Sequence, residues 1–287
     1  MDLSVVVPVY NGGDFLAPLL LSLEEQQFKG EWEVIVVDNG STDQSQDVVR
    51  SFTDRLPGLQ LLVAREKQCV AYSRNVGVSA SAGRAIVFLD QDDEAAPGYL
   101  EAMSAGLAKY PFVAARLDHQ TLNETWAAQS LLPWQSDRLQ NRFGFLPYAN
   151  GGSLGILRSA FDLTDGFDES LAHSDDVAFC WSLALAGVML TLVPEAVLRY
   201  RHRTTPRRYL RQEWISGIDD VTLYRLFGQS GMPRPTPGFG YSNSFHFALR
   251  AFKVRSRQQG LLWLGELAVR LGRVEGWRRD RQGSKQA

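Results

Sequence analysis

Short apolar runs alternate with polar, glycine-bearing turns along the first 120 residues. Leu3–Val7, Glu33–Val37, Leu59–Val63 and Ala85–Leu89 are rich in branched side chains, a pattern that predicts strands buried on both faces. Between them the apolar period becomes helical. Leu16, Leu19, Leu20 and Leu23 form one stripe, with Asp14 as its expected cap and Pro18 in its first turn. Val48, Val49 and Phe52 mark a second helix, and Val70, Arg74, Val76 and Gly77 a third. Strand and helix alternating at this spacing predict right-handed βαβ units on a parallel sheet, with Phe112–Leu117 as a further strand.

Ligands bind such sheets outside the carboxyl ends of the strands. Three predicted strands end in polar clusters: Pro8-Val9-Tyr10-Asn11-Gly12-Gly13, Asp38-Asn39-Gly40-Ser41-Thr42-Asp43 and Asp90-Gln91-Asp92-Asp93. Parallel strands would put all three on one rim. In the last cluster, Asp90 and Asp92 make an Asp-x-Asp pair whose hard oxygens suit Mg²⁺ or Mn²⁺. An acidic turn capping the helix that Pro97 begins is the plainer alternative for that pair alone. Asp38 can accept a hydrogen bond from a nucleobase or ribose, and Arg74 can fork onto a diphosphate. No G-x-G-x-x-G follows the first strand and no Walker lysine loop occurs, which disfavours a dehydrogenase or a phosphate-loop ATPase.

The second half is less regular. Asp118–Leu146 has no clear period, with Trp126, Trp134 and Phe143 among polar residues. It reads as a variable region near an acceptor or as ordinary cover for the sheet. Asn150-Gly151-Gly152-Ser153 allows close backbone approach to a ligand, or a bend, before the run Leu154–Leu157. Asp175 and Asp176 open a helix carrying Val177, Trp181 and Ala184, with Gly187 at its C-terminus. Val193–Tyr200 reads as a late strand ending in Arg201-His202-Arg203. Pro206 then begins a helix closed by Gly228. A last helical stretch is expected from about Ser244 to Arg273, bent at Gly260. From Arg250 onward basic residues exceed acids by roughly seven. That stretch is either a membrane-surface amphipathic segment or a helix packed on its own domain.

The chain has 287 residues and a formal net charge of -2, which exerts no pull toward nucleic acid. Cys69 and Cys180 form no disulfide framework or metal-ligand spacing and read as buried hydrophobes. No apolar run reaches membrane-span length, and Met1-Asp2-Leu3 enters a strand without a basic leader. The expected location is the cytoplasm, with peripheral contact at the inner membrane face left open.

Four stretches in register carry a family resemblance: Val5-Val6-Val7-Pro8-Val9-Tyr10-Asn11, Val36-Val37-Asp38-Asn39-Gly40-Ser41-Thr42-Asp43, Ser73-Arg74-Asn75-Val76-Gly77 and Phe88-Leu89-Asp90-Gln91-Asp92-Asp93. In order and spacing, over roughly the first 200 residues, the chain resembles family 2 glycosyltransferases of GT-A fold. The resemblance implies an α/β domain with a mixed sheet, parallel in its first half, and an inverting, metal-assisted transfer from a nucleotide-diphosphate sugar. The expected acceptor is a glycan, a lipid-linked or a small-molecule hydroxyl. Expected donor contacts are Pro8, Tyr10, Asn11, Asp38, Asn39, Arg74, Asp90, Gln91, Gly151 and Gly152. The metal, Mn²⁺ or Mg²⁺, would fall to Asp92 and Asp90, with His202 where similar enzymes place a ligand. Asp176 matches the base of the family's Glu-Asp motif. Asp175 stands where glutamate is usual, and Ala178 where another acid often follows. The expected division is a catalytic domain over 1–205, split into a nucleotide-binding half (1–117) and an acceptor half (118–205), then a helical extension over 206–287. A homo-oligomer stays open. The rival readings are a non-catalytic nucleotide-sugar-binding or scaffold protein that kept the fold, and, more weakly, a nucleotidyltransferase.

Overall fold

The computed structural model describes residues 1–123, 126, 134–202, 205–236, 247, 249–252 and 254–283. In chain order the elements are β1 (Leu3–Val9), α1 (Gly13–Glu24), β2 (Trp32–Asp38), α2 (Ser45–Arg50), β3 (Gln60–Val63), α3 (Val70–Ala80), β4 (Ala85–Phe88), β5 (Glu94–Ala95), α4 (Tyr99–Leu107) and β6 (Phe112–Asp118). There follow β7 (Gln140–Asn141), β8 (Pro147–Tyr148), β9 (Leu154–Leu157), α5 (Arg158–Phe161), α6 (Asp175–Leu185), β10 (Thr191–Arg199), α7 (Pro206–Phe227) and α8 (Arg257–Gly283).

Eight strands form one mixed sheet in the order β3-β2-β1-β4-β9-β6-β10-β5. β1 runs parallel to β2 and β4, and β2 to β3, so the three polar clusters do share one rim. β9 is antiparallel between β4 and β6 and makes the sheet mixed. Side chains alternate between two apolar layers, as period two requires. Val5 and Val7 meet Leu16, Leu20 and Leu100 on one face, while Val6 joins Ile86, Phe88, Phe179 and Leu183 on the other. Each such fully buried side chain contributes about 1.5–3 kcal/mol. Pro8, in the middle of the sheet, is tolerated because pairing with β4 stops at Val6, leaving that edge of β1 free of a ladder.

Local details differ from the sequence reading. Asp14 does not cap α1; Gly12 is the N-cap. The first amides of α1 are satisfied from the β2 loop instead, Gly12 N–H donating to Ser45 Oγ (2.9 Å) and Gly13 N–H to Asp43 Oδ2 (3.0 Å). Pro18 therefore lies inside the helix rather than in its first turn. The helix expected at Pro97 starts at Tyr99, after Gly98 in the left-handed region (φ 79°). α7 runs into a short 3₁₀ turn at Gly228, and the left-handed stop is Gly231 (φ 98°). The last helix begins at Arg257 and continues to Gly283, which puts Gly260 in its first turn. Arg203, Pro237 and the expected helix start at Ser244 lie outside the described residues.

α8 lies along α7 at unusually close range. A Cβ on Gly217 would strike the Val269 carbonyl, and one on Gly272 the Trp214 carbonyl. Much of the basic charge of this region is paired: Arg273 with Asp220, Arg270 and Arg250 with Glu266, and Arg278 and Arg279 with Glu275. No helix among the described residues is long and apolar enough to cross a membrane.

Candidate active site

The rim formed by β1, β2 and β4 opens into a cleft of about 590 Å³. Pro8, Tyr10, Asn39, Arg74, Asp90, Gln91, Asp92, Asn150, Asp175 and Asp176 all line it. The second half of the chain reaches this rim because β9 inserts beside β4. That insertion places the Asn150–Ser153 turn over the end of β4 and the start of α6 across from it.

Arg74 is the hub. Its Nη2 donates to Asp90 Oδ1 (2.7 Å) and its Nη1 to Asp175 Oδ2 (2.6 Å), and the arginine is only 3% exposed. Burial works against its charge, but Asp90, Asp175 and Asp176 outweigh that and hold it firmly protonated. The glycines that the sequence suggested for ligand approach serve this cluster. A Cβ on Gly151 would come within 2.6 Å of the Arg74 guanidinium, and one on Gly152 within 2.6 Å of the Asp90 carboxyl.

Asp176 lies at the head of α6, half-buried on the cleft wall. Its Oδ2 accepts from Gly151 N–H (3.1 Å) and its Oδ1 from Val177 N–H (2.7 Å). Burial, with the neighbouring Asp175 charge second, pushes its carboxyl up to about 7. Asp175 is also raised, chiefly by burial, against the pull of Arg74.

On the other wall, Tyr10 N–H donates to Gln91 Oε1 (2.8 Å) and Gln91 Nε2 to the Tyr10 carbonyl (3.2 Å), locking the β1 and β4 loops together. Asn11, at φ 48°, accepts from Thr42 N–H through Oδ1 (2.8 Å) and joins the β1 and β2 loops. Asn39 donates to the Ala64 and Lys67 carbonyls (2.6 and 2.9 Å). Asp38 is buried beside it, accepting from Ser41 N–H (3.1 Å) and Gln46 Nε2 (2.7 Å), and does not itself line the cleft.

The acidic loop is tied to the end of β10. Arg201 N–H donates to Asp93 Oδ1 (2.9 Å) and Arg201 Nε to the Asp92 carbonyl (3.0 Å), with Glu94 as ion partner (3.4 Å). His202 is buried. Its Nε2 lies 2.9 Å from His119 Nδ1, and the two rings stack. Burial, with His119 second, pushes His202 down to about 4, so the imidazole is neutral. Among the described residues no three His, Cys, Asp or Glu side chains stand close enough to cage a metal. Asp90 and Asp92 both face the cleft, a donor set that suits a hard cation sharing its shell with water and phosphate oxygens.

Several cleft residues had no sequence signal of their own: Gln68, His173, Arg211 and Gln212. Arg211 and Gln212 come from α7, so the helical extension forms part of the wall. Behind the wall, Arg142 donates to Ser174 Oγ (3.1 Å) and the Ser216 carbonyl (3.1 Å) and pairs with Asp220, which is fully buried. The Asp219-Asp220 pair in the otherwise apolar stripe of α7 was the signal that could have exposed this network.

The family model for glycosyl transferase family 2 matches residues 4–164. Among curated proteins, the pre-mycofactocin glycosyltransferase of Mycobacterium tuberculosis is 29% identical over 226 residues, 75% of this chain and 46% of that protein. Glycosyltransferase AglE of Haloferax volcanii is 37% identical over 90 residues, 31% of this chain and 30% of that protein. The chain thus spans less than half the length of these relatives. Among solved structures, the mannosyltransferase PcManGT of Pyrobaculum calidifontis, in complex with GDP-Man and Mn²⁺, superposes with a TM-score of 0.69 at 19% identity. That superposition covers 96% of this chain and 87% of that one. S. aureus TarS (residues 1–349) in complex with UDP-GlcNAc gives 0.55 at 18% identity, covering 100% and 92%. These likenesses are of fold, and the fold is GT-A: a mixed sheet with flanking helices and a cleft at the rim of its parallel half. The matched 4–164 takes in β1 through β9 and more than half of the chain, and on that match the chain belongs to glycosyl transferase family 2.

Proposed function

We propose that this chain is an inverting glycosyltransferase that moves a sugar from a nucleoside-diphosphate sugar to an acceptor hydroxyl. The observation that carries the reading is Asp176: a half-buried carboxylate raised to about 7, on the cleft wall, with the Asp90–Asp92 loop on the same cleft. A carboxylate of that basicity accepts a proton near neutral pH. The relatives solved with GDP-Man and UDP-GlcNAc support the donor class.

In this reading the nucleoside lies along Pro8, Tyr10 and Asn39, with Asp38 buried at the end of β2 beside them, and the diphosphate lies toward Asp90 and Asp92. Asp176 takes the acceptor hydroxyl's proton as its oxygen bonds to the anomeric carbon. The bond from that carbon to the diphosphate breaks on the opposite face, inverting the centre. General-base help of this kind is worth about a hundred- to ten-thousand-fold. Asp92 and Asp90 would hold Mn²⁺ or Mg²⁺, which when bound neutralises charge developing on the leaving diphosphate. His202 would join that set through Nδ1, or through Nε2 by giving up its contact with His119. Arg74 keeps Asp90 and Asp175 in place and supplies positive charge beneath the diphosphate.

The test is a thermal-shift and hydrolysis screen with GDP-mannose, UDP-N-acetylglucosamine and other donors, with and without Mn²⁺. A donor that raises the melting temperature and is slowly hydrolysed by wild type but not by Asp176→Asn supports transfer. Donor stabilisation with no turnover toward water or any acceptor would instead favour a binding protein.

A further inference from the structure

The residues ahead of Asp176 are held in part from outside the family-matched region. Ser174 is the N-cap of α6, yet its own side chain caps nothing. A helix start leaves amides without partners, and these must be met from elsewhere. Asp219, in the middle of α7, meets the amide of the N-cap and the one just before it: its Oδ2 accepts from Ser174 N–H at 3.0 Å and His173 N–H at 2.8 Å. Asp219 is 4% exposed, and burying a carboxylate is costly unless its hydrogen bonds are made. The adjoining Asp220 extends the brace. It pairs with Arg142, which also donates to Ser174 Oγ, and with Arg273 Nε of α8 at 2.7 Å. Two helices of the extension and the β7–β8 hairpin thus converge on the two residues preceding Asp175.

We propose that Asp219 is a positioning residue for catalysis: through the His173 and Ser174 amides it sets where the Asp176 carboxylate stands in the cleft. The helical extension is then part of the catalytic machinery. The inference rests on Asp176 being the base. Misplacing a reacting group by about 1 Å can cost on the order of a hundredfold in rate.

The experiment measures Mn²⁺-dependent hydrolysis of GDP-mannose or UDP-N-acetylglucosamine, whichever stabilises the full chain. Asp219→Ala, Asp219→Asn, Asp176→Asn and the double variant Asp176→Asn/Asp219→Ala are compared. Asp219→Ala is expected to lower kcat at least about tenfold with donor KM within about twofold of wild type. Asp219→Asn keeps a carbonyl oxygen that can accept both amides and should recover most of the loss. In the Asp176→Asn background, Asp219→Ala should cost nothing further, because both act on one step. Wild-type kcat in a folded Asp219→Ala, or a full additional loss in the double variant, would overturn the proposal. If Asp219→Ala does not fold, Asp219→Ser takes its place with the same expectations, its hydroxyl being too short to reach the amides. Near-normal hydrolysis by Asp176→Asn alone would mean that the base assignment has failed. Loss there with wild-type kcat in the Asp219 variant would sink only the positioning role.

Discussion

Arg74 Nη1 lies 2.6 Å from Asp175 Oδ2, joining residues 101 positions apart across the cleft. Both are almost fully buried, with side chains 4% and 3% exposed. The arginine thus faces carboxylates rather than only a diphosphate. It is the strut that brings α3, β4 and α6 to one place.

Arg74→Met should accordingly destabilise the fold. Removing one partner of a buried pair leaves the other uncompensated, at a cost of about 3–5 kcal/mol. Here two carboxylates, Asp90 and Asp175, lose their partner at once. Urea unfolding of the variant checks this, and a loss under about 1 kcal/mol would contradict the strut.

Stability and activity should respond to pH in opposite directions. The Asp176 carboxyl rises from an ordinary 3.8 to about 7 on folding, through burial first and Asp175 second. The folded chain therefore holds a proton that the unfolded chain releases between those values. The stability this contributes is complete below about 3.8 and is lost as pH rises through about 7. Wild type should melt lower at pH 8 than at pH 5, and Asp176→Asn should lessen that drop. Turnover, which needs the ionised base, should climb through about pH 7. A pH-independent difference in melting between the two proteins would refute the shift.

Asp92→Asn should weaken Mn²⁺-dependent binding of a nucleoside diphosphate by at least about tenfold, since it removes one of the two anionic donors that the Asp90–Asp92 loop turns to the cleft. Calorimetric titration with and without Mn²⁺ reads it out. His202→Ala is expected to lose less in the same titration, because Nε2 is already engaged by His119. Wild-type affinity in Asp92→Asn would move the metal elsewhere.

Gly272→Ala should separate α7 from α8. The added methyl would collide with the Trp214 carbonyl, which is backbone and cannot swing away. Overpacking of this kind costs about 1–3 kcal/mol, against roughly 1 kcal/mol gained in helix propensity. A lower melting temperature is expected, with turnover reduced as the α7 brace on Ser174 loosens. An unchanged melting temperature would show that the helices can move apart freely.

The strands β1, β2, β3, β4, β6 and β10 and the placing of three polar clusters on one rim were legible in the sequence. Their signals are local: buried strands read as continuous apolar runs, and parallel βαβ units put every carboxyl end on the same side. Asp176 and Asp92 could be named because they stand in short motifs. The structure alone decided what those residues face. Arg74 meets Asp90 and Asp175 only because β9 inserts antiparallel beside β4 and carries the second half of the chain back to the rim. His202 is engaged by His119, 83 positions away, and Gly151 and Gly152 clear space for side chains of the site itself. The partners of Asp219 and Asp220, which are His173, Ser174, Arg142 and Arg273, lie 45 or more positions off. Burial, and with it the raised Asp176 carboxyl, belongs to that packing: a carboxylate's basicity is set by the water and charges around it, which no stretch of sequence contains.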